Sequence, residues 1–395
     1  MSAEDTERAI YLDHHATTPV DERILEEMQP YFTEQFGNPA SDDHLFGAKA
    51  KQGAEEARER IADGINCRKE EVIFTSGATE SDNLAIRGTA EYAKKHSRGN
   101  HLITSAIEHE AVLEVCKALE QEGFEVTYLP VDEQGRVDPG AVEDAIREET
   151  ILLSVMAANN EIGAIEPIAE LGQLAKNNQV FFHTDAVQAV GYVPLDVAEM
   201  GIDLMSISSH KIYGPKGVGA LYVRRRRPKV KLEPLIRGGG HERGWRSGTL
   251  NVPAIVGFGK AIQLAEQEQE DRSEHVAALT SYMWDRFESE LDDVTLNGDA
   301  ENRLPNNLNV SFYGVENKAL VKNLQPEVAV SAGSACTTGR VEASHVLQAL
   351  GGDEDQWHSA IRFGLGKDNT QEEVKYAVNR VIDAVGRLRN LQFGG

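Results

Sequence analysis

The stretches VFFHTDAVQAVG (180–191) and LMSISSHKIYGPKGVGALYV (204–223) decide the fold. The first is a strongly apolar run of strand length that closes on His183, Asp185 and Gln188. The second is a shorter run closing on Ser208, His210 and Lys211, followed by a Gly-Pro turn and another strand-like segment, GALYV. Upstream, EVIFTS near 73, HLITSA near 103, VTYLPV near 128 and ILLSVMAA near 154 read as further strands. Amphipathic stretches such as AKAKQGAEEARERIADGI and EAVLEVCKALEQEG lie between several of them. Alternation of this kind predicts an α/β fold with a mostly parallel central sheet covered on both faces. Such sheets bind ligands beyond the carboxyl ends of their strands, so the residues that close each run are the ones to inspect.

The pattern changes after about residue 260. One long helical pattern runs through AIQLAEQEQEDRSEHVAALTSYMWDRFESEL. The short strand-like pieces NNLNVSFYG, EVAVSAGSA and SAIRFGLG follow, and then the amphipathic TQEEVKYAVNRVIDAVGRLRNL. This predicts a large domain over 13–262 and a smaller α+β domain over 263–395. The early segment IYLD fits either, and residues 1–12 are assigned to the small domain.

With 40 basic against 64 acidic residues, the 395-residue chain carries a net charge of −24. That leaves no general attraction for nucleic acid or anionic membranes. Hydrophobic residues at 41% exclude a wholly disordered chain, and no stretch approaches a membrane span. The polar, acidic start MSAEDTERAI lacks the pattern of a secretory signal, so a cytoplasmic protein is expected. The basic run Arg224 to Arg227 reads as a solvated strand end or, second, as a docking patch for an acidic partner. Three cysteines with no CxxC spacing exclude a disulfide framework and a cysteine-rich zinc site. Cys116 reads as a core residue, whereas Cys336 sits among small and hydroxyl residues in VSAGSACTTGR.

Three pieces combine into one chemistry. FTSGATESDN reads as strand, glycine turn and helix, placing Ala78 and Thr79 where free N–H groups attract an anion. It matches neither the P-loop nor GxGxxG. Alone, it reads equally as a capped helix. Lys211 closing an apolar run is either a snorkelling side chain or an amine held for Schiff-base chemistry. With Asp185 at a neighbouring strand end, these are the parts pyridoxal phosphate requires: an imine-forming lysine, a carboxylate for the pyridinium nitrogen and a phosphate site. In SAIEHEAVL, His109 follows a strand and starts a helix, where an imidazole could stack on the ring or relay a proton. Alone it reads as a cap. Asp13, His14, His15 and His183 show no metal-ligand spacing such as HExxH, and no metal is expected.

Taken in order, YLDHHATTP, GNPAS, TSGATESDN, EHEAVL, NNEIG, HTDAVQ, SSHKIYGPKG, GGGHERGWRSGT, SAGSACTTG and IRFGLG span nearly the whole chain. In this order they resemble the cysteine desulfurases of the NifS/IscS type, class-V aminotransferases with the PLP-dependent aspartate-aminotransferase-like fold. The resemblance implies Lys211 as the Schiff-base lysine and Asp185 as partner of the pyridine nitrogen. It gives Gln188 to the ring's phenolic oxygen and stacks His109 over the ring. Ala78, Thr79, Ser208 and His210 would cradle the phosphate, with Thr249 reaching the phosphate of a neighbouring subunit in a homodimer. Asn160 and Arg362 would grip the carboxylate of L-cysteine, a planar fork suiting Arg362 to the task. Cys336 would take the sulfur as a persulfide, leaving alanine, and hand it to an acceptor such as an iron–sulfur scaffold or a thiolation enzyme.

The sequence departs from that family at Arg340 in the cysteine loop, at Ala343 where proline is usual, and at Asp42 and Asp43 near the entrance. The rivals are another enzyme of the same cofactor class, such as an aminotransferase or selenocysteine lyase, and an adaptor that has lost its chemistry. The thiol at Cys336 speaks against an aminotransferase. The joint presence of Lys211, Asp185, His109 and Cys336 speaks against an adaptor.

Overall fold

The computed structural model describes residues 9–41, 43–333 and 343–393. The seven strand-like runs between residues 72 and 223 enter one sheet. They are β2 (Val72–Thr75), β3 (His101–Ser105), β4 (Glu125–Leu129), β5 (Thr150–Ser154), β6 (Phe181–Asp185), β7 (Leu204–Ser208) and β8 (Gly219–Val223). The order across the sheet is β2-β8-β7-β6-β5-β3-β4. The pairs among β3 to β7 are parallel, while β8 runs antiparallel to both β2 and β7.

Successive strand side chains point to opposite faces, and here both faces are apolar. Phe74, Ile103, Leu153, Phe182, Met205 and Ala220 pack into one cluster with α1 (Leu45–Asp63), α4 (Ile168–Asn177) and α5 (Val252–Gln267). Their neighbours Ile73, Leu102, Leu152, Leu204 and Leu221 pack on the other face against α2 (Ala78–Lys95) and α3 (Glu110–Gln121). Burial on both faces explains why these strands read as continuous apolar runs.

A third cluster is built from α6 (Gln269–Glu290), α7 (Gln371–Phe393) and the antiparallel sheet β12-β10-β9 (Ala360–Gly364, Asn307–Phe312, Val294–Leu296). Here Phe287, Phe312 and Phe363 pack edge to face or tilted, with centroids 5.4 to 6.5 Å apart. The first strand, β1 (Ile10–Tyr11), pairs in parallel with β11 (Val328–Ala329), and Ile10 and Leu12 bury into this cluster. The long helical pattern after residue 260 is two helices, not one. Glu268 ends α5 and starts α6, and its carboxylate holds Arg23 at 2.6 Å. Leu264 and Ala265 still pack with the large sheet, whereas Val276 packs with the small one.

Candidate active site

One cavity of about 520 Å³ opens at the carboxyl ends of β5, β6 and β7. Asp185 ends β6, Ser208 ends β7, and Lys211 closes the 3-10 turn that follows it. From the far side the cavity meets the start of α2 at Gly77, Ala78 and Thr79. His109, Asn160, Gln188 and His210 complete the predicted residues found on its wall. Nine of the expected site residues therefore come together from segments spread between positions 78 and 211.

The local geometry explains each placement. Gly77 has a φ of 151°, a value L side chains rarely adopt. It turns the chain from β2 into α2, whose first N–H groups have no intrahelical partners. A Cβ at Gly77 or at Gly217, also on the cavity wall, would meet open space, so bare backbone faces the cavity there. Ser76 N–H donates to Glu80 Oε2 at 2.8 Å, and Arg246 Nε donates to Glu80 Oε1 at 2.9 Å. His109 caps α3 by accepting the Ala111 N–H on Nδ1 at 3.1 Å.

Charges in the cavity are set by burial. Lys211 is pushed down from 10.5 to about 8, first by burial and then by Arg362, with Asp185 and Asp13 opposing. Its ammonium donates to the backbone carbonyls of His15 and Ala16. Burial raises Asp185 above the usual carboxylate range, while the Val187 N–H, His109 and Lys211 pull it back. His210 is pushed down to about 4 by burial and by Lys211 and Lys216, and pairs with Thr17 Oγ1 at 3.1 Å.

Three expected residues stand elsewhere. Arg362, on β12, is not on the cavity wall: its Nη2 donates to Asp13 Oδ1 at 2.8 Å and its Nη1 to the Asn160 carbonyl at 3.0 Å. Its Nε is buried without a partner. Thr249 is exposed and does not line the cavity. Cys336 lies outside the described residues, as do Arg340 and Asp42. Downstream of Cys336, Ser344 donates to Glu161 Oε2 at 2.6 Å, next to the cavity residue Asn160.

His183 corrects the reading of its strand. It sits one pleat below Asp185, fully buried between Ser154 Oγ at 2.8 Å and Ser206 Oγ at 3.1 Å, and burial pushes it down to about 3. It is a core imidazole and does not touch the cavity. Beside it Asp82 of α2 is fully buried with neither oxygen hydrogen-bonded.

Sequence reading missed several contacts. His15 Nδ1 pairs with Gln188 Oε1 at 2.9 Å, Gln188 Nε2 donates to the His15 carbonyl at 3.1 Å, and Asp13 holds Arg362. The block YLDHHATTP carries both residues, but no local pattern names partners more than 170 positions away. Lys216, Gly217 and Thr17 also line the cavity. Among the described residues no group of three or more acidic, histidine or cysteine side chains could hold a metal.

The residues present fit pyridoxal phosphate. A half-buried amine with a depressed pKa and a buried carboxylate stand at adjacent strand ends. A glycine-started helix N-terminus faces the same cavity and would receive a phosphate.

Comparison with known proteins agrees with this geometry. The chain matches the family described as aminotransferase class-V over residues 10–377. It is 54% identical to a cysteine desulfurase IscS of Anaeromyxobacter dehalogenans (strain 2CP-C) over 382 residues, 97% of this chain and 94% of that protein. A cysteine desulfurase of Pongo abelii is 50% identical over 384 residues, 97% of this chain and 83% of that protein. Among solved structures, a NifS-like protein superposes with a TM-score of 0.89 at 39% identity, covering 96% of this chain and 100% of that one. With its mostly parallel sheet and this match over nearly its whole length, the chain belongs to the class-V aminotransferase family.

Proposed function

We propose that this protein is a cysteine desulfurase. It takes sulfur from L-cysteine onto its own Cys336, leaving L-alanine, and passes that sulfur to acceptor proteins for iron–sulfur cluster assembly or thiolation. The observation that carries the reading is Lys211 and Asp185 at adjacent strand ends on one cavity, facing the glycine-started N-terminus of α2. Identity near one half with proteins named cysteine desulfurase supports it.

Pyridoxal phosphate, when bound, supplies the electron sink for the substrate's Cα–H electrons. Lys211 would be its attachment point, and Asp185, as a carboxylate accepting the ring N–H, would keep the ring nitrogen protonated. The N–H groups of Ala78 and Thr79, with Ser208 and His210, would hold the phosphate. His109 would stack on the ring and Gln188 would donate to its phenolic oxygen. The Lys211 amine, pushed down to about 8, exchanges its proton near neutral pH and can carry one to and from the substrate's Cα. Arg362 would take the substrate carboxylate with Asn160, its fork exchanging Asp13, which its Nη2 now holds at 2.8 Å, for the substrate. Transfer balances as L-cysteine plus the Cys336 thiol giving L-alanine plus the Cys336 persulfide. The substrate's C–S bond breaks, a sulfur–sulfur bond forms, and the sulfur's electrons reduce Cβ. The thiolate of Cys336 is the attacking form.

We further propose a cytoplasmic homodimer in which Thr249 serves the partner's phosphate, with residues 263–395 and 1–12 forming the smaller domain. No helix among the described residues is long and apolar enough to cross a membrane.

The test is turnover of L-cysteine by the PLP-loaded protein, following alanine and persulfide. Cys336→Ser should keep the cofactor's absorbance and its shift on adding L-cysteine, yet lose alanine release by about a hundredfold or more. Cys336→Ser turning over L-cysteine at the parent rate would overturn the reading.

A further inference from the structure

A second cavity, of about 500 Å³, lies at the opposite end of the same sheet. It opens where β5 and β6 begin, lined by Ile151, Val180 and Phe181, with Tyr92 and Ala93 from the last turns of α2. Five-residue strands at ~3.3 Å per residue set it about 17 Å from the Asp185 end. The two cavities share β5, β6 and α2 but no lining residue.

Its charge runs against that of the protein. In a chain of net charge −24, its wall carries Arg98, Lys176, Arg224, Arg227 and Lys231 against the single carboxylate of Asp203. Part of this is local compensation. Arg224 Nη2 meets Asp203 Oδ1 at 2.5 Å. Lys176 lies in the last turn of α4, and Arg98 follows the end of α2, stacking over the Tyr92 ring at 5.7 Å. Each helix end is equivalent to roughly half a negative charge. Five cations less one carboxylate and about one unit for two helix ends leave about three positive charges uncompensated. Arg227 and Lys231 make no hydrogen bond or ion pair among the described residues, and the Arg224 Nε is buried without a partner. A solvated strand end does not require cations gathered around an apolar recess.

We infer that this recess binds a small organic phosphate of nucleotide size, its phosphate held by Arg227, Lys231 and Arg98. Its planar or apolar body would rest on Ile151, Val180, Phe181 and Tyr92. The volume lies within the range of small-molecule sites. Arginine forks suit phosphate oxygens bidentately, and a dianion answers the surplus charge. A nucleic-acid strand would meet the repulsion of the remaining acidic surface.

The test is calorimetric titration of the PLP-loaded enzyme, whose own phosphate site is then filled, with AMP, adenosine, inorganic phosphate and a polyglutamate peptide. AMP should bind once per chain and more tightly than either of its parts. The double variant Arg227→Glu/Lys231→Glu changes two exposed side chains. It should weaken AMP by about tenfold or more while leaving desulfurase turnover and the unfolding midpoint at the parent's values. Lys176→Glu, on the opposite wall, is a second variant expected to weaken AMP. Raising salt should weaken binding of AMP and leave adenosine unchanged. AMP binding unaltered by both variants would overturn the inference. So would phosphate binding as tightly as AMP, binding of the peptide without AMP, or no binding of AMP at all.

Discussion

At the scale of single residues, the chemistry rests on how burial divides like groups. Three cysteines share the chain, and two are held as thiols. Cys116 is buried on α3 and Cys67 lies half-buried beyond α1. Burial pushes each up to about 12, with Glu108 adding at Cys116 and Glu71 at Cys67. Neither is a thiolate at neutral pH, so sulfane sulfur is expected on Cys336. Lys211 shows the same effect in a cation, and the sign can be worked out. Its folded pKa of about 8 lies below the 10.5 of the free side chain, so between those values the unfolded chain binds more protons and stability rises with pH. The full shift would be worth about 3 kcal/mol. The side chain opens onto the cavity, and solvent screening reduces this to about 1–2 kcal/mol. In cofactor-free protein, the unfolding free energy of the parent relative to Lys211→Met should rise by that amount between pH 8 and 10.5. A flat difference across that window would show that the amine is not depressed. The strand-end placement of Lys211 and Asp185 is legible in sequence because each closes an apolar run. The tie of Arg362 to Asp13 is not, since it joins positions 349 apart and both residues read locally as ordinary polar positions.

At the scale of elements, the strands are legible for a physical reason: a sheet covered on both faces needs uninterrupted apolar runs. The break between α5 and α6 is not. Gln267, Glu268 and Gln269 contain neither glycine nor proline, and only the packing of the two helices on different clusters divides them. The glycine-rich segment around Arg243 is likewise positioned by partners distant in sequence. Glu242 receives Arg58 through two bonds of 2.8 Å and also the Phe74 N–H at 2.8 Å, with both charged side chains only 4% exposed. The pair fastens this loop to α1 and β2. Glu242 and Arg243 adopt positive φ values of 45° and 60°, which the pair helps to hold. Glu242→Ala leaves the buried Arg58 guanidinium with Glu55 at 3.0 Å and the Val72 carbonyl at 2.9 Å as its remaining partners, and should cost about 3 kcal/mol in chemical denaturation, the lower end for a broken buried pair. Arg58→Met/Glu242→Leu removes both charges and should recover part of that loss, the Phe74 N–H still lacking its acceptor. A double variant as unstable as the single one would mean that the pair does more than neutralise itself.

At the scale of the whole molecule, the site is expected to be incomplete in one chain. Thr249 is exposed and absent from the cavity wall, although Arg246, three residues before it, is bound to Glu80 at the start of α2. The loop is therefore fixed beside its own cavity while Thr249 itself is exposed. Exposed Phe32, Phe36, Leu45 and Phe46 give the same molecule an apolar surface of the kind that associates. In a two-fold dimer each Thr249 would serve the other chain, a relation that complementation can detect. Lys211→Ala and Thr249→Ala chains, each of low activity, are unfolded together and refolded as an equal mixture. Random pairing makes about half the dimers mixed. If Thr249 acts across the interface, each mixed dimer holds one site with both residues intact and one lacking both. About a quarter of all sites are then intact, and activity should return to roughly that fraction of the parent's. If Thr249 acts within its own chain, each mixed dimer carries two singly damaged sites. The mixture would then show only the average of the two variants. Light scattering on the parent at micromolar concentration gives the independent check, since a monomer there would exclude the shared site whatever the mixing result.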